Sequence, residues 1–248
     1  MKSSVEIGLV VAMKEEADIL ATAIGLTQHK TEKGNYLTYT NTQGNIVMLT
    51  PGLDGHFQCF GRPVSRVGKI SAGVITTLLI EHFHPGCIIN AGTAGGIKSA
   101  GMKIGDIVIA DYVSSHDIHI PIVGYSEYGK RKLPIAHLKK LKFLSHPHKI
   151  GLVSSGESFA TSSEEWKIVK QNNALIKEME AAGILHTMEV LDSMMPVYVI
   201  KSVTDIIDED IHTLTSSEEF SKNFTSAMKR LSFIIKEIVD NKHKILSV

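Results

Sequence analysis

Apolar runs that predict strands alternate with segments of helical periodicity along most of this chain. Residues 5–12 form a nearly continuous apolar run, which is typical of a strand buried on both faces. The other predicted strands are residues 36–41, 46–50, 87–90, 106–113, 150–154 and 197–204. The predicted helices are residues 15–23, 69–82, 164–171 and 176–190, and a last helix that begins after Ser216.

Two helix starts carry the serine and glutamate spacing of a capping box. Ser162 with Glu165 precedes the helix over 164–171, and Ser216 with Glu219 precedes the last helix. Apolar residues recur every three or four positions in that last helix and predict one buried stripe. The stripe consists of Phe220, Phe224, Ala227, Leu231, Ile234 and Ile238.

Two stretches lack either periodicity. Residues 51–63 are rich in glycine and proline and predict a long loop, and residues 114–147 are irregular. Residues 42–45 predict the turn of a hairpin. The alternation of strands and helices, with no repeat or linker, predicts one α/β domain over residues 1–248 with a mostly parallel sheet.

Composition excludes several classes of protein. Hydrophobic residues make up 43% of the 248 residues and charged residues 21%, so most of the chain can bury enough apolar surface to fold. Lys plus Arg and Asp plus Glu both number 26, and this lack of basic excess argues against nucleic-acid binding. No apolar run has the length of a membrane span. Two cysteines, Cys59 and Cys87, fit a reducing cytoplasm.

Candidate chemistry lies where predicted strands end, because ligands of parallel sheets bind at the carboxyl ends of strands. Glu15 and Glu16 follow the first strand, although carboxylates also favour a helix start for its dipole. The small residues 91–96 follow another strand and predict either a ligand-binding turn or a tight structural turn.

Three further candidates each have an ordinary structural alternative. Asp205 ends a strand, where it is either a cap or, if buried, a proton donor. Glu178 and Glu180 flank Met179 near a predicted helix start, so the two charges are solvated or one points into a polar pocket. Phe159 belongs to the core or stacks on a planar ring.

Metal and cofactor chemistry find no support in the residue patterns. The histidine pairs lack the spacing of metal ligands with a third partner, and neither cysteine lies in a nucleophile motif. No Gly-x-Ser-x-Gly elbow is present. The residues therefore favour metal-free and cofactor-free chemistry by carboxylates.

Four motifs in order resemble the 5′-methylthioadenosine/S-adenosylhomocysteine nucleosidases of the purine nucleoside phosphorylase-like superfamily. They are IGLVVAMKEE, INAGTAGG, SSGESF with KEMEAAGILH, and VIKSVTDIID. The second and the last look most like the plant branch. The resemblance implies a three-layer α/β/α sandwich with a mixed, mostly parallel sheet. It also implies hydrolysis of the N-glycosidic bond of methylthioadenosine in methionine salvage, and leaves open whether S-adenosylhomocysteine is a second substrate.

The resemblance implies roles for the charged residues. Glu16 matches the carboxylate that activates water, and Asp205 matches the acid that protonates nitrogen 7 of adenine. Thr204 stands where a hydroxyl residue supports that acid. Glu180 matches the ligand of the ribose hydroxyls, with Met179 packing against the sugar.

The resemblance also implies the remaining substrate contacts. Phe159 matches the aromatic residue stacked on adenine, and the backbone of Ala160 matches the group that contacts the edge of the base. Thr93, Ala94 and Gly95 match the small residues beside the sugar. The other expected substrate-site residues are Met13, Val67, Glu178 and Lys201.

Two departures from the bacterial pattern stand out. Lys201 stands where many bacterial members carry arginine, and residues 51–66 are longer than the bacterial connection.

A nucleoside phosphorylase is the first alternative, but Asn90 and the segment 13–16 occupy places where phosphorylases of this superfamily carry arginines. A nucleoside-binding protein without activity is the second alternative. The three carboxylates argue against it.

Apolar residues in the irregular segment predict a homodimer. They are Ile118, Ile120, Pro121, Ile122, Val123, Tyr125 and Tyr128, and a neighbouring subunit is one place to bury them. The resemblance also implies a two-fold dimer in which this region closes the 5′-thioalkyl pocket of the other chain. The alternative is that the segment folds back on its own domain.

Overall fold

The computed structural model describes residues 5–29, 34–59, 61–208 and 217–246. Within these ranges the strands are β1 (Ile7–Val10), β2 (Thr27–His29), β3 (Leu37–Thr40), β4 (Ile46–Thr50), β5 (Leu53–Cys59), β6 (Arg62–Ser65), β7 (Cys87–Ile97), β8 (Ile107–Ser115), β9 (Lys132–Pro134), β10 (Lys149–Ser155), β11 (Ile176–Glu178) and β12 (Val197–Ile207). The helices are α1 (Lys14–Ile24), α2 (Lys69–Phe83), α3 (Tyr125–Lys130), α4 (Ser163–Gln171), α5 (Ala181–Val190), α6 (Ser217–Asp240) and α7 (His243–Leu246).

One mixed sheet organises the fold. Ten strands of the described ranges belong to it, in the order β11-β10-β8-β12-β7-β1-β4-β3-β2, with β9 added beside β8. β1 runs parallel to β4 and β7, and β12 runs parallel to β7 and antiparallel to β8. β11 also pairs antiparallel with β7, through Ile176 and Lys177 opposite Gly96 and Gly95. This pairing closes β7, β12, β8, β10 and β11 into a ring.

Helices cover both faces of the sheet. α2 and α5 pack over one face, whose core includes Val10 and Val199. α1 and α6 pack over the other face, whose core includes Leu9 and Tyr198. Neighbouring residues of β1 and of the first half of β12 therefore enter different cores, which explains the continuous apolar run in each. The arrangement confirms the predicted three-layer α/β/α class.

Several local predictions are confirmed. Ser162 Oγ accepts from the Glu165 backbone N–H at 3.3 Å, and Glu165 Oε2 accepts from the Ser162 backbone N–H at 2.6 Å. In α6 the predicted stripe is buried at Ala227, Leu231, Ile234 and Ile238, and Phe224 packs against the same core. The predicted cap by Ser216 and Glu219, and the side chain of Phe220, lie outside what the structure describes.

The predicted helix over 176–190 is wrong in its first turn. Ile176–Glu178 is the strand β11, which pairs with both β10 and β7, and α5 begins only at Ala181. The carboxylate of Glu178 accepts the backbone N–H groups of Glu180 and Ala181 at 3.1 and 3.0 Å. Because these groups are the first donors of α5, the glutamate caps the helix from outside it.

Two predicted loops are also ordered differently. The small residues 91–96 continue β7 instead of forming a turn, since backbone groups of β12 and β11 pair with them. Residues 51–63 contain β5 and the first half of β6, which form a separate two-stranded sheet. The irregular stretch 114–147 holds α3, β9 and a 3₁₀ turn at Leu138–Leu141. None of the helices in the described ranges combines the length and apolar character of a membrane crossing.

Candidate active site

A cavity of about 660 Å³ opens at the carboxyl ends of the central strands. Every sequence-predicted site residue lines it except Lys201, whose buried ammonium contacts two of the lining carboxylates. Sequence reasoning missed six further lining residues: Ala12, Thr161, Trp166, Lys177, Ile207 and Asp208. Strand topology thus brings together residues as far apart in the sequence as Ala12 and Asp208.

Glu16 is fixed at one wall of the cavity by three hydrogen bonds. Its Oε1 accepts the backbone N–H and the hydroxyl of Thr93, both at 2.7 Å, and its Oε2 accepts the backbone N–H of Met13 at 3.2 Å. Burial raises the pKa of this carboxyl, while the charge of Lys201 and the hydrogen bonds oppose the rise. Glu15 points elsewhere, and the hydroxyl of Ser65 donates to it at 3.3 Å. The two neighbouring carboxylates therefore have different surroundings.

A buried cluster of charges occupies a second wall. Lys201 Nζ lies 2.9 Å from Glu178 Oε2 and 3.2 Å from Glu180 Oε2. Glu178 keeps its charge because Lys201, Ser155 and the backbone of Ala181 lower its pKa despite burial. Glu180 accepts one weaker backbone bond, from Gly68 N at 3.3 Å. Burial, together with the nearby charges of Glu178 and Glu16, raises its pKa to about 7 even though Lys201 opposes the rise.

Asp205 lies near the end of β12 and faces the cavity. The hydroxyl of Thr204 donates to its Oδ1 at 2.8 Å. Burial raises the pKa of Asp205, while the Thr204 hydroxyl and the charge of Lys177 oppose the rise. A carboxyl group in this setting holds its proton at higher pH than an exposed aspartate, as a proton donor requires.

An aromatic side chain borders the cavity close to a buried lysine. Phe159 follows β10 and is 70% exposed, so little of the residue is covered by packing. Lys177 Nζ donates to the backbone carbonyls of Ser158 and Phe159 at 2.8 and 2.7 Å. Ala160 lies next to Phe159 on the same rim. A lysine directly after the buried Ile176 was the only sequence signal for this contact.

Small residues of β7 leave room for the carboxyl groups. A Cβ added to Gly92 would lie 3.1 Å from Glu16 Oε2, and one added to Gly95 would lie 3.2 Å from Asp205 Oδ2. Thr93 and Ala94 complete this side of the cavity, and Met13, Val67 and Met179 also line it. In the described ranges no group of three or more His, Cys, Asp or Glu side chains is arranged to hold a metal ion.

Comparison with known proteins places this fold and cavity in a family. The sequence matches the Phosphorylase superfamily over residues 6–240. An Arabidopsis thaliana 5′-methylthioadenosine/S-adenosylhomocysteine nucleosidase is 31% identical over 93% of this chain and 89% of the relative. An Arabidopsis thaliana 5′-methylthioadenosine nucleosidase is 33% identical over 87% of this chain and 79% of the relative.

Solved structures agree with the sequence matches. The apo structure of Arabidopsis thaliana 5′-methylthioadenosine nucleosidase superposes with a TM-score of 0.83 at 29% identity, covering 96% of each chain. A Neisseria meningitidis 5′-methylthioadenosine/S-adenosylhomocysteine nucleosidase in complex with methylthio-immucillin-A superposes with a TM-score of 0.73 at 25% identity. That match covers 96% of this chain and 99% of the other. The chain therefore belongs to the phosphorylase superfamily and, within it, to the family of the 5′-methylthioadenosine/S-adenosylhomocysteine nucleosidases.

Replacing Glu180 with glutamine should change the free energy of unfolding more favourably at pH 8 than at pH 5. Burial raises the pKa of Glu180 to about 7 in the folded protein. Between the ordinary pKa of a glutamate and pH 7, Glu180 is therefore protonated in the folded state and ionised in the unfolded state. Stability is therefore lost as the pH rises through this window, and a neutral glutamine avoids the loss. Urea denaturation should show a relative gain of about 2 kcal/mol at pH 8.

Glu178→Gln is the matched control from the same cluster. The pKa of Glu178 is lowered, so its charge stabilises the fold above its ordinary pKa and its removal should destabilise the protein at pH 8. Equal effects of the two substitutions, or no pH dependence for Glu180→Gln, would contradict the assigned charge states.

Proposed function

We propose that this chain hydrolyses the N-glycosidic bond of 5′-methylthioadenosine, and of S-adenosylhomocysteine, releasing adenine and the 5-thioribose product. The observation that carries the proposal is the spacing of two carboxyl groups along β7. Glu16 binds Thr93, and Asp205 lies against Gly95. Two residues of a strand span about 7 Å, which suits an acid and a base on opposite sides of a glycosidic bond with a water between them.

In this proposal Asp205 is the general acid. Cleavage leaves negative charge on the departing purine, and protonation of adenine nitrogen 7 by Asp205 makes adenine a better leaving group. The burial that raises the pKa of Asp205 keeps the proton in place until the bond breaks. Thr204 donates to Asp205 Oδ1, which orients the carboxyl group and leaves Oδ2 on the side of Gly95.

Glu16 and Glu180 serve the sugar side of the reaction. Glu16 is the base that takes a proton from the attacking water, and its three hydrogen bonds aim it into the cavity. Glu180 accepts hydrogen bonds from the ribose hydroxyls and stabilises the positive charge that develops on the sugar. Lys201 holds Glu180 in place through its Oε2. Met179 packs against the ribose, beside Glu178, which caps α5.

The remaining lining residues bind the substrate. Phe159 stacks on adenine, and the backbone of Ala160 contacts the edge of the base. Thr93, Ala94 and Gly95 lie beside the sugar, while Met13 and Val67 line the cavity near the ribose. The names of the Arabidopsis relatives and the methylthio-immucillin-A complex of the Neisseria meningitidis relative support a thioadenosine-like ligand. With this substrate the reaction would serve methionine salvage in the cytoplasm.

Hydrolysis is favoured over phosphorolysis by the charges that an attacking group would meet. Glu16 and Glu180 face the sugar side of the cavity and would repel a phosphate anion. Asn90, at the place of a phosphorylase arginine, donates to the carbonyl of Val10 at 3.1 Å and is fully buried. An inactive binding protein would have no need of three buried carboxyl groups in these separate settings.

We further propose that the working unit is a homodimer in which the partner helps close the 5′-thioalkyl pocket. Exposed apolar side chains occur at Ile122, Val123, Tyr125 and Tyr128, where the sequence predicts an interface. Ile70 and Val74 of α2, which begins two residues after the pocket residue Val67, are also exposed. Exposed apolar side chains in these two segments favour association.

Adenine release should need no phosphate and should survive a chelator. Purified protein is incubated with methylthioadenosine in phosphate-free buffer, and adenine and the sugar product are measured by chromatography. Free methylthioribose is the expected sugar product in the presence or absence of phosphate. Formation of a ribose 1-phosphate, with activity only when phosphate is added, would establish the phosphorylase instead.

Asp205→Asn should retain the fold and lose most of the activity. Asparagine fills the same space but has no proton to give, so the turnover number should fall about 10²- to 10⁴-fold. In the wild type the rate should also decline at alkaline pH, because Asp205 loses its proton as the pH rises through its raised pKa. Turnover is measured against pH, with circular dichroism as the check on folding. Near-normal turnover by Asp205→Asn would remove Asp205 from the chemistry.

Ile122→Asp should dissociate the dimer. A charge at a buried interface position opposes association, and a stable dimer buries more than about 1,200 Å² in total. Light scattering should report a dimer for the wild type and a mass near 27.1 kDa for the variant, with a higher Michaelis constant. Met194→Asp, at another highly exposed apolar position, should remain dimeric. A wild-type monomer with full activity would refute the dimer.

A further inference from the structure

Lys177 is a buried cation that the proposed mechanism leaves without a role. It is the central residue of β11, it lines the cavity, and its side chain is only 5% exposed. Burying an ammonium group is unfavourable unless hydrogen bonds and opposite charges compensate. An uncharged side chain of similar length would fill the same space without this penalty, so packing does not account for the charge.

The sheet register places Lys177 and Asp205 on either side of one glycine. Lys177 is opposite Gly95 in the β11–β7 pair, and Asp205 is opposite Gly95 in the β12–β7 pair. Two strand spacings separate their backbones by about 10 Å, which the long lysine side chain can largely bridge. Gly95 has no side chain to stand between them. The positive charge of Lys177 therefore acts on the Asp205 carboxyl group across β7.

Lys177 also fixes the segment that carries Phe159. Its Nζ donates to the carbonyls of Ser158 and Phe159 at 2.8 and 2.7 Å, and it lies 5.9 Å from the centre of the Phe159 ring. These two bonds use two of its three protons. Because Phe159 is largely exposed, little side-chain packing holds its ring, and the bonds to the backbone set where the ring lies.

Other charged and titratable groups surround Lys177. They come from the segment after β8, α4, β11 and β12, and are His116, Asp117, Glu165, Glu178 and Asp205. Asp117 is already paired with Lys69, and Glu178 is paired with Lys201. His116 is neutral near pH 7, since burial and the charge of Lys177 lower its pKa to about 4. Among the group, Asp205 is the one that gives up a proton in the proposed reaction.

We propose that Lys177 is a positioning residue that links the two halves of adenine recognition, holding the Phe159 segment in place and stabilising the carboxylate that Asp205 becomes when it protonates the base. The proposal rests on the proposed hydrolysis. In the step, the Asp205 O–H bond breaks, the proton passes to nitrogen 7 of adenine, and the electron pair of the broken bond stays on Asp205. A nearby fixed cation stabilises this developing negative charge, and does so more strongly in a buried site than in water.

Lys177→Met separates this role from a structural one. Methionine keeps the length and loses the charge and both hydrogen bonds, so the turnover number should fall about 10- to 100-fold. The alkaline limb of the turnover–pH profile should move to higher pH, because Asp205 no longer has a cation that lowers its pKa. The Michaelis constant should also rise as the Phe159 segment loosens. A merely structural role would change stability and the Michaelis constant but would leave the pH limb in place.

Three further variants complete the test. Lys177→Arg keeps a cation, so its pH profile should match that of the wild type. Lys177→Gln replaces the charged group with a neutral polar one, and it should show the same shift of the alkaline limb if Lys177→Met folds poorly. Lys167→Met, an exposed lysine of α4, should match the wild type. An unmoved alkaline limb in both uncharged variants, with the wild type active, overturns the assignment of Lys177 alone. Absence of adenine release by the wild type overturns the proposed hydrolysis, and this inference falls with it.

Discussion

The candidate site depends on the absence of bulky side chains along β7, where the strand borders the cavity. Glu16 arrives from α1, Asp205 from β12 and Lys177 from β11, and all three approach the segment between Gly92 and Gly95. A Cβ at either glycine would be in tight contact with a carboxylate oxygen. Small residues here let three other elements meet at one strand, and the spacing of the acid and the base follows from the residue spacing of β7.

The same convergence concentrates charge where water is scarce. Four carboxyl groups and two lysines are buried around one cavity, and each ion carries a desolvation penalty of several kcal/mol before its partners compensate. The compensation is uneven. Glu178 receives a lysine and three backbone or hydroxyl donors, whereas Glu180 and Asp205 receive fewer and hold protons more tightly. The number of hydrogen-bond donors around each carboxylate thus distinguishes the structural Glu178 from Glu180 and Asp205, which have proposed roles in the reaction.

Elements with a long, repetitive pattern could be predicted from the sequence. β1, β12 and α6 are examples. Each packs against one or both hydrophobic cores, and the positions of its apolar residues in the sequence follow from that packing. β11 could not be predicted in this way. It has three residues, too few to show a period, and its end is set by Glu178 capping α5, a contact that helical periodicity alone does not reveal.

Some residues of the candidate site could likewise be predicted from the sequence and others could not. Glu16, Thr204 and Asp205 were found because parallel neighbouring strands end at one edge of a sheet, so residues after such strands gather there. Glu180 and Phe159 were candidates with an ordinary structural alternative, and the family motifs gave them a role. Lys177 was missed because the predicted helix gave it no place in the site, and only the pairing of β11 with Gly95 turns its side chain toward the cavity.

The closed ring of strands has a consequence for solubility. Sheet edges offer unpaired backbone groups to which other chains can add, and long apolar edges promote aggregation. Pairing of β11 with β7 removes such an edge beside the cavity, and the sheet's main path ends instead at β2. In the part of the chain that the structure describes, β2 consists of Thr27, Gln28 and His29, which are all exposed and carry no aliphatic or phenyl side chain. The most apolar strands thereby lie in the middle of the sheet. At the β2 end, a neighbouring molecule in a concentrated solution finds a short polar edge to pair with.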